Sequence, residues 1–285
     1  MVAVTFCDMT DDCLRLLRNH RHLAELAAFP FNFDLARAAD GHAEPVRLAS
    51  GGSLEAVAGC DTGGTYFGCA DGSLLYADSE GSAGIIGSSV DEALEVVIGL
   101  PGWRDHVFLS PADGEEKILA RVAEIEGEIR EYHGIDAERA ELRAALGLPD
   151  RSPVELLGML HRALLRTEPD FLLLNAEEGC AYDLLDPHPR PPLWESVRHE
   201  VPGDPAAEPL FTWTRLAAEQ GMTELARVAL IRRLDDIYLD QSLLLRPGSR
   251  KDLDLSPLLR LAEEFERLDD RPQAERARRL HTDLR

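Results

Sequence analysis

Asp61-Thr62-Gly63 has the residue order in which an aspartic protease presents a catalytic carboxylate. That chemistry needs two carboxyl groups about 3 Å apart sharing one proton, supplied by two lobes or two subunits, with strongly apolar strands around them. The chain holds no second copy, and Gly64-Thr65 continues a turn, so the triplet reads as a bend between two strands. His20, His22 and Glu25 suggest a metal site, but an i, i+2 histidine pair points to different helix faces, unlike the i, i+4 pair of a zinc helix. His20 falls on an apolar stripe and is expected to be a core or boundary residue. Cys60 and Cys69 lie on strands either side of one turn and could approach each other, yet no further Cys or His at ligand spacing completes a zinc set. Glu124, Glu126, Glu128 and Glu131 flank an apolar stripe and reach Arg121 and Arg130 at ion-pair spacing, the pattern of a solvated face. There is no Gly-Lys-Ser/Thr phosphate loop, no G-x-G-x-x-G before a helix, no G-x-S-x-G and no H-E-x-x-H. The expectation is a chain without catalytic residues, cofactor or bound metal. Its enzymatic alternative is a small-molecule hydrolase or transferase with an interdomain pocket and His106, His133 or His161 as base.

The elements that would position these groups centre on Val57 to Trp103, where short apolar runs alternate with Gly/Asp/Ser turns. Leu54 to Val57, Thr65 to Cys69, Leu74 to Ala77 and Ala83 to Ile86 predict strands, and Val46 to Ala49 suits a first strand of the same set. Asp71-Gly72 offers the positive φ of a two-residue turn, so Thr65 to Ala77 predicts a hairpin. Ser89 opens a helix with Glu92 as its capping-box partner. Val90, Ala93, Leu94 and Val97 give that helix one buried face, and Gly99 with Pro101 stops it. Upstream, Thr10 caps an amphipathic helix whose stripe runs through Cys13, Leu16, Leu17, His20, Ala24 and Ala27, ended by Phe29-Pro30-Phe31-Asn32-Phe33.

After Trp103 the composition turns from Gly-rich to Glu/Arg/Leu/Ala-rich, which sets a domain boundary near Leu109. Ser110-Pro111-Ala112-Asp113 and Ser152-Pro153-Val154-Glu155 both carry the serine cap, N1 proline and N3 acid of a helix start. Pro187, Pro189, Pro191, Pro192, Pro202, Pro205 and Pro209 mark a connector over 183–210, in which Trp194 is expected to dock on a neighbour. From Phe211 the pattern is helical. Leu216-Ala217-Ala218-Glu219, Ala226 and Leu230 are echoed by Leu261-Ala262-Glu263-Glu264, Ala274 and Leu280, a loose likeness to helical-hairpin repeats that would suit a scaffold protein. The expected fold is α+β: a small antiparallel sheet with covering helices over 1–109, then an all-α helical domain over 110–285.

Three features together resemble the SUKH superfamily over residues 1 to 110. They are the N-terminal helix, the Gly63-Gly64-Thr65-Tyr66-Phe67 and Asp71-Gly72 hairpin, and the ending Ile85-Ile86-Gly87-Ser88-Ser89-Val90-Asp91-Glu92-Ala93-Leu94. Val90 stands where that family often has an aromatic residue. The resemblance implies an immunity-type protein that binds a toxin partner and occludes its active site, with no catalytic residues of its own. The partner-binding residues expected on that reading are exposed acids and aromatics of the hairpin region: Asp61, Tyr66, Asp71, Tyr76, Asp78 and Glu80. On the opposite reading the two tyrosines face the core and the acids only end strands.

The 285 residues carry 30 basic and 52 acidic side chains, a formal charge of −22. Residues 1 to 110 hold 6 Arg against 16 Asp and Glu, so neither half is basic. Such a field repels nucleic-acid phosphates and anionic lipid, and it speeds encounter with a cationic protein. The expected partner is a protein, not nucleic acid or membrane. The N-terminus has no positive region before an apolar core, and no run approaches a membrane span, so a cytoplasmic protein is expected. Five scattered cysteines, an odd number, suit reduced thiols.

Overall fold

The computed structural model describes residues 12–186, 209–244 and 255–285. It is a mixed α+β structure with a five-stranded sheet, a two-stranded sheet and an all-helical C-terminal region. Among the described residues no helix is long and apolar enough to cross a membrane. The chain divides into two compact units. Of the described residues, the first holds 12–43, 52–167 and 183–186, the second 44–51, 168–182, 209–244 and 255–285.

In the first unit the expected N-terminal helix is two helices, α1 (Asp12–Asn19) and α2 (Arg21–Ala28). His20 sits between them with extended backbone (φ −127°, ψ 94°) and is exposed, so it is not the core or boundary residue its place on the stripe predicts. The break re-phases the apolar side chains, and Leu23 and Leu26 of α2 pack beside the buried Cys13, Leu14 and Leu17 of α1. Phe31 and Phe33 then enter the core, as expected of aromatics at the end of a sheet, while Phe29 stays exposed.

The strand Val46–Leu48 (β1) does not join the main sheet. It pairs antiparallel with Leu173–Asn175 (β6) in the second unit. The main sheet is built from β2 (Leu54–Gly59), β3 (Thr65–Cys69), β4 (Leu74–Ala77) and β5 (Ser82–Gly87), antiparallel neighbours in chain order, with β7 (Asp183–Leu184) added parallel to β5. The β3–β4 hairpin forms, but its loop is one residue longer than predicted. The Cys69 N–H donates to Ser73 O at 2.9 Å and encloses Ala70, Asp71 and Gly72, the three-residue loop that a type I turn with a following left-handed residue produces.

Helix α3 (Val90–Gly99) begins on Ser89, whose hydroxyl accepts from the Glu92 N–H at 3.1 Å, but only this half of the expected box forms, because the Glu92 carboxylate accepts the Ser88 N–H at 2.7 Å instead of that of Ser89. It buries Val96 and Ile98 as well as the expected face of Val90, Ala93, Leu94 and Val97. A helix apolar nearly all round needs cover on both sides. The short helix α4 (Trp103–His106) is followed by α5 (Glu115–Tyr132), α6 (Asp136–Leu146) and α7 (Pro153–Leu164), and α3 packs against α1, α6, α7 and β5. The division of the chain therefore does not fall at Leu109, because α5 to α7 complete the core of the sheet unit. Gly99 is the point of closest approach: a Cβ there would lie 2.4 Å from Leu156 Cδ1. Ser110 makes its capping box on a single 3-10 turn (Pro111–Asp113), and Ser152 makes the predicted box on α7.

The second unit joins β1 and β6 to two helical pairs, α8 (Pro209–Glu219) with α9 (Thr223–Leu244) and α10 (Ser256–Arg267) with α11 (Arg271–Asp283). Its core includes Phe211, Trp213, Leu230, Ile231, Leu261 and Phe265. The sequence echo falls on corresponding places, with Ala217 and Ala226 buried in one pair and Ala262 and Ala274 in the other. Most of the proline-rich connector, with Trp194, lies outside the described residues.

Candidate functional site

The six residues expected to form a partner surface do not form one. Tyr66 and Tyr76 are a cross-strand pair on β3 and β4, both 0% exposed, with ring centroids 4.9 Å apart. Phe33 packs on Tyr66 at 5.0 Å and Trp103 on Tyr76 at 5.1 Å. These four rings form a buried aromatic cluster, so neither tyrosine is the exposed aromatic that the binding reading requires. The reason is that β4 is buried at every position and β3 at all but Gly68, leaving no solvent face at the middle of the sheet.

The acids divide between the two ends of the sheet. Asp71 lies in the β3–β4 loop, where it accepts from Ser73 N–H at 3.0 Å and Ser73 Oγ at 2.8 Å and pairs with Arg166 at 3.3 Å. Asp61, Asp78 and Glu80 lie at the other end, in the β2–β3 and β4–β5 turns. Those turns touch, since Ser79 Oγ donates to Thr62 O at 3.2 Å. The Asp78 carboxylate is spent locally, accepting from the Glu80 and Ser82 N–H groups at 2.9 and 2.8 Å. Asp61 and Glu80 are exposed, and their carboxylates hold no turn among the described residues.

Beside the β2–β3 turn opens a cavity of about 250 Å³, lined by Phe31, Asn32, Cys60, Thr62, Tyr66 and the Gly102–Asp105 segment that opens α4. Two of its groups come from far along the chain. Arg104 reaches across to donate to Thr62 Oγ1 at 2.6 Å and lies over the Tyr76 ring at 5.5 Å from its centroid. Trp103 donates its indole N–H to the Tyr66 hydroxyl at 3.3 Å. Asp105 is exposed at the same rim.

Cys60 follows β2 at the inner wall. Its sulfur receives the Gly64 N–H at 3.1 Å and lies 3.1 Å from Thr62 Oγ1 and 3.4 Å from the Tyr76 hydroxyl. A guanidinium only donates, so Thr62 Oγ1 accepts from Arg104 and is free to turn its own proton toward the sulfur. Burial pushes the Cys60 thiol up, but hydrogen bonds from the Thr62 and Tyr76 hydroxyls and from the backbone of Thr62 and Gly64 outweigh it and hold the thiol below its ordinary value. Gly64 is required for this contact, because a Cβ there would stand 2.1 Å from the Tyr76 hydroxyl oxygen.

Cys60 and Cys69 do not approach each other. The register pairs Gly59 with Thr65 and Leu54 with Cys69, which places the two thiols at opposite ends of the hairpin. No group of three or more His, Cys, Asp and Glu side chains among the described residues is arranged to hold a metal. His106 is buried, His133 is exposed, and neither they nor His161 line the cavity. Asp61-Thr62-Gly63 is a turn, with Asp61 out in solvent. No family model matches the chain, and neither a curated protein nor a solved structure matches it.

The residues missed in the sequence are Asn32, Trp103, Arg104 and Asp105, which only the fold brings to the turn. Cys60 and Thr62 carried a readable signal: a thiol closing a strand, with a hydroxyl two residues on and Gly-Gly after it, is the geometry in which a turn aims donors back at the sulfur.

Proposed function

We propose that this protein is a binding module of the immunity type, which recognises a basic protein partner through the end of its sheet that carries the β2–β3 and β4–β5 turns. The observation that supports this reading is that exposed Asp105 lines a cavity whose wall includes Thr62 of the turn carrying exposed Asp61, and that this turn touches the β4–β5 turn carrying exposed Glu80, in a chain whose formal charge is −22. Acids at such a rim attract a cationic surface and orient it before short-range contacts form. Anchoring passes to aromatics other than the buried tyrosines. Phe29 and Phe108, exposed by 54% and 68%, flank the cavity-lining segments in sequence and offer apolar area of the kind that dominates binding energy.

The test is binding kinetics with a partner recovered from the native host, measured at two salt concentrations. Replacing Asp61, Glu80 and Asp105 together by Asn or Gln leaves Asp71 and Asp78 to hold their turns. It should slow association on the order of tenfold at low salt and flatten its salt dependence. Phe108→Ala should instead hasten dissociation. Unchanged association by the triple variant at low salt would remove this end of the sheet as the partner surface.

A further inference from the structure

The second unit holds a buried carboxylate with two cations on it. Glu264 of α10 is only 4% exposed, yet its two oxygens receive Arg215 Nε from α8 at 3.0 and 3.2 Å and Arg267 Nη1 from its own helix at 3.0 and 3.2 Å, with Arg215 Nη2 on Oε1 as well. One carboxylate does not use up the donors of two guanidinium groups. Arg215 Nη1 and Arg267 Nε and Nη2 have no partner among the described residues, and both side chains are half exposed. The buried anion also fixes where these guanidinium groups stand, so a ligand that meets them finds its donors already in place.

The same three residues wall a cavity of about 240 Å³, which Glu219 of α8, Leu230 of α9 and Leu268 also line. The Glu219 carboxylate is exposed and has no hydrogen bond or ion pair among the described residues. One space therefore offers guanidinium donors, an unpaired carboxylate and aliphatic carbon. We propose that it binds a free aliphatic α-amino acid, whose carboxylate accepts from Arg215 and Arg267, whose ammonium group meets Glu219 and whose side chain packs on Leu230 and Leu268. Charge selects against simpler ligands. A plain anion meets Glu219 and Glu264, which already equal the two guanidinium groups in number, in a chain whose formal charge is −22, and a plain cation meets the guanidinium groups. A zwitterion is neutral overall and satisfies both signs at once. Size selects next, since the cavity is smaller than the roughly 300–1,000 Å³ of ordinary small-molecule sites and suits a ligand of amino-acid size. The site lies wholly within the second unit and does not depend on the partner surface proposed above.

The experiment titrates the full-length chain, methyl-labelled at leucine, with L-leucine and follows the Leu230 and Leu268 methyl resonances by NMR. Both should shift saturably. Leucine amide, which lacks the carboxylate, and isocaproate, which lacks the ammonium group, should each bind about tenfold more weakly, the loss that goes with one charge-assisted contact at a partly exposed site. Glu219→Gln should weaken leucine about tenfold without weakening isocaproate, and its thermal midpoint should match the parent because the side chain ties down nothing in the fold. Arg267→Gln keeps the Arg215–Glu264 pair and should weaken leucine and isocaproate alike without weakening leucine amide. No saturable shift at the two leucines, equal affinity for leucine and isocaproate, or parental affinity for leucine in Glu219→Gln would overturn the assignment.

Discussion

The buried polar side chains show how much one contact decides. Cys60 and Cys69 belong to one hairpin, yet the Gly64 N–H and two hydroxyls stand at hydrogen-bond distance from the first sulfur while burial dominates the second. His106 has no such help. It is fully buried, neither ring nitrogen has a hydrogen-bond partner among the described residues, and the Pro101 carbonyl, which favours the charged ring, does not come to hydrogen-bond geometry. Burial is the largest influence and lowers the ring's proton affinity below the ordinary 6.5, against the opposing pull of Asp105 and Glu126. The unfolded chain therefore binds the proton that the folded chain refuses. Stability is full above pH 6.5 and is lost as pH falls from there toward the folded-state value. Urea midpoints at about pH 5 and about pH 8 should differ more for the parent than for His106→Leu. Little of this was legible beforehand, because burial and donors come from residues distant in sequence. What was legible at Cys60 lay within the turn itself.

Elements whose cause is local were read correctly. The Ser89 and Ser152 caps, the strands from Thr65 and Leu74, and the turn at Asp61-Thr62-Gly63 each depend on residues within a few positions of one another. The misread elements depend on distant partners. β1 carries strand residues but finds β6 rather than β2, and Tyr66 and Tyr76, stacked on each other, are covered by Phe33 and Trp103 from outside their hairpin. α3 was read as one-sided although Val96 and Ile98 already lay off its predicted face. Its second side explains why Gly99 is small. Gly99→Ala would drive a methyl into Leu156 and should lower stability by about 1–3 kcal/mol in urea denaturation, the range for overpacking a filled core. Combined with Leu156→Ala, its cost should shrink markedly, since the two changes share one contact.

On the scale of the whole chain, the boundary read at Leu109 followed composition, whereas the compact units follow burial. A fragment ending at residue 109 lacks α5 to α7 and the β7 edge, leaving the outer side of α3 bare. It should show no cooperative thermal transition by circular dichroism; a sharp, reversible melt would refute the division described for the first unit. The pairing of β1 with β6 sets an order on synthesis as well. Val46 leaves the ribosome long before Asn175, its partner in the ladder, exists. At ordinary translation rates that interval is on the order of ten seconds. Through that time β1 is a strand without its ladder partner on a growing polypeptide, open to pairing with neighbouring nascent chains until its mate is made.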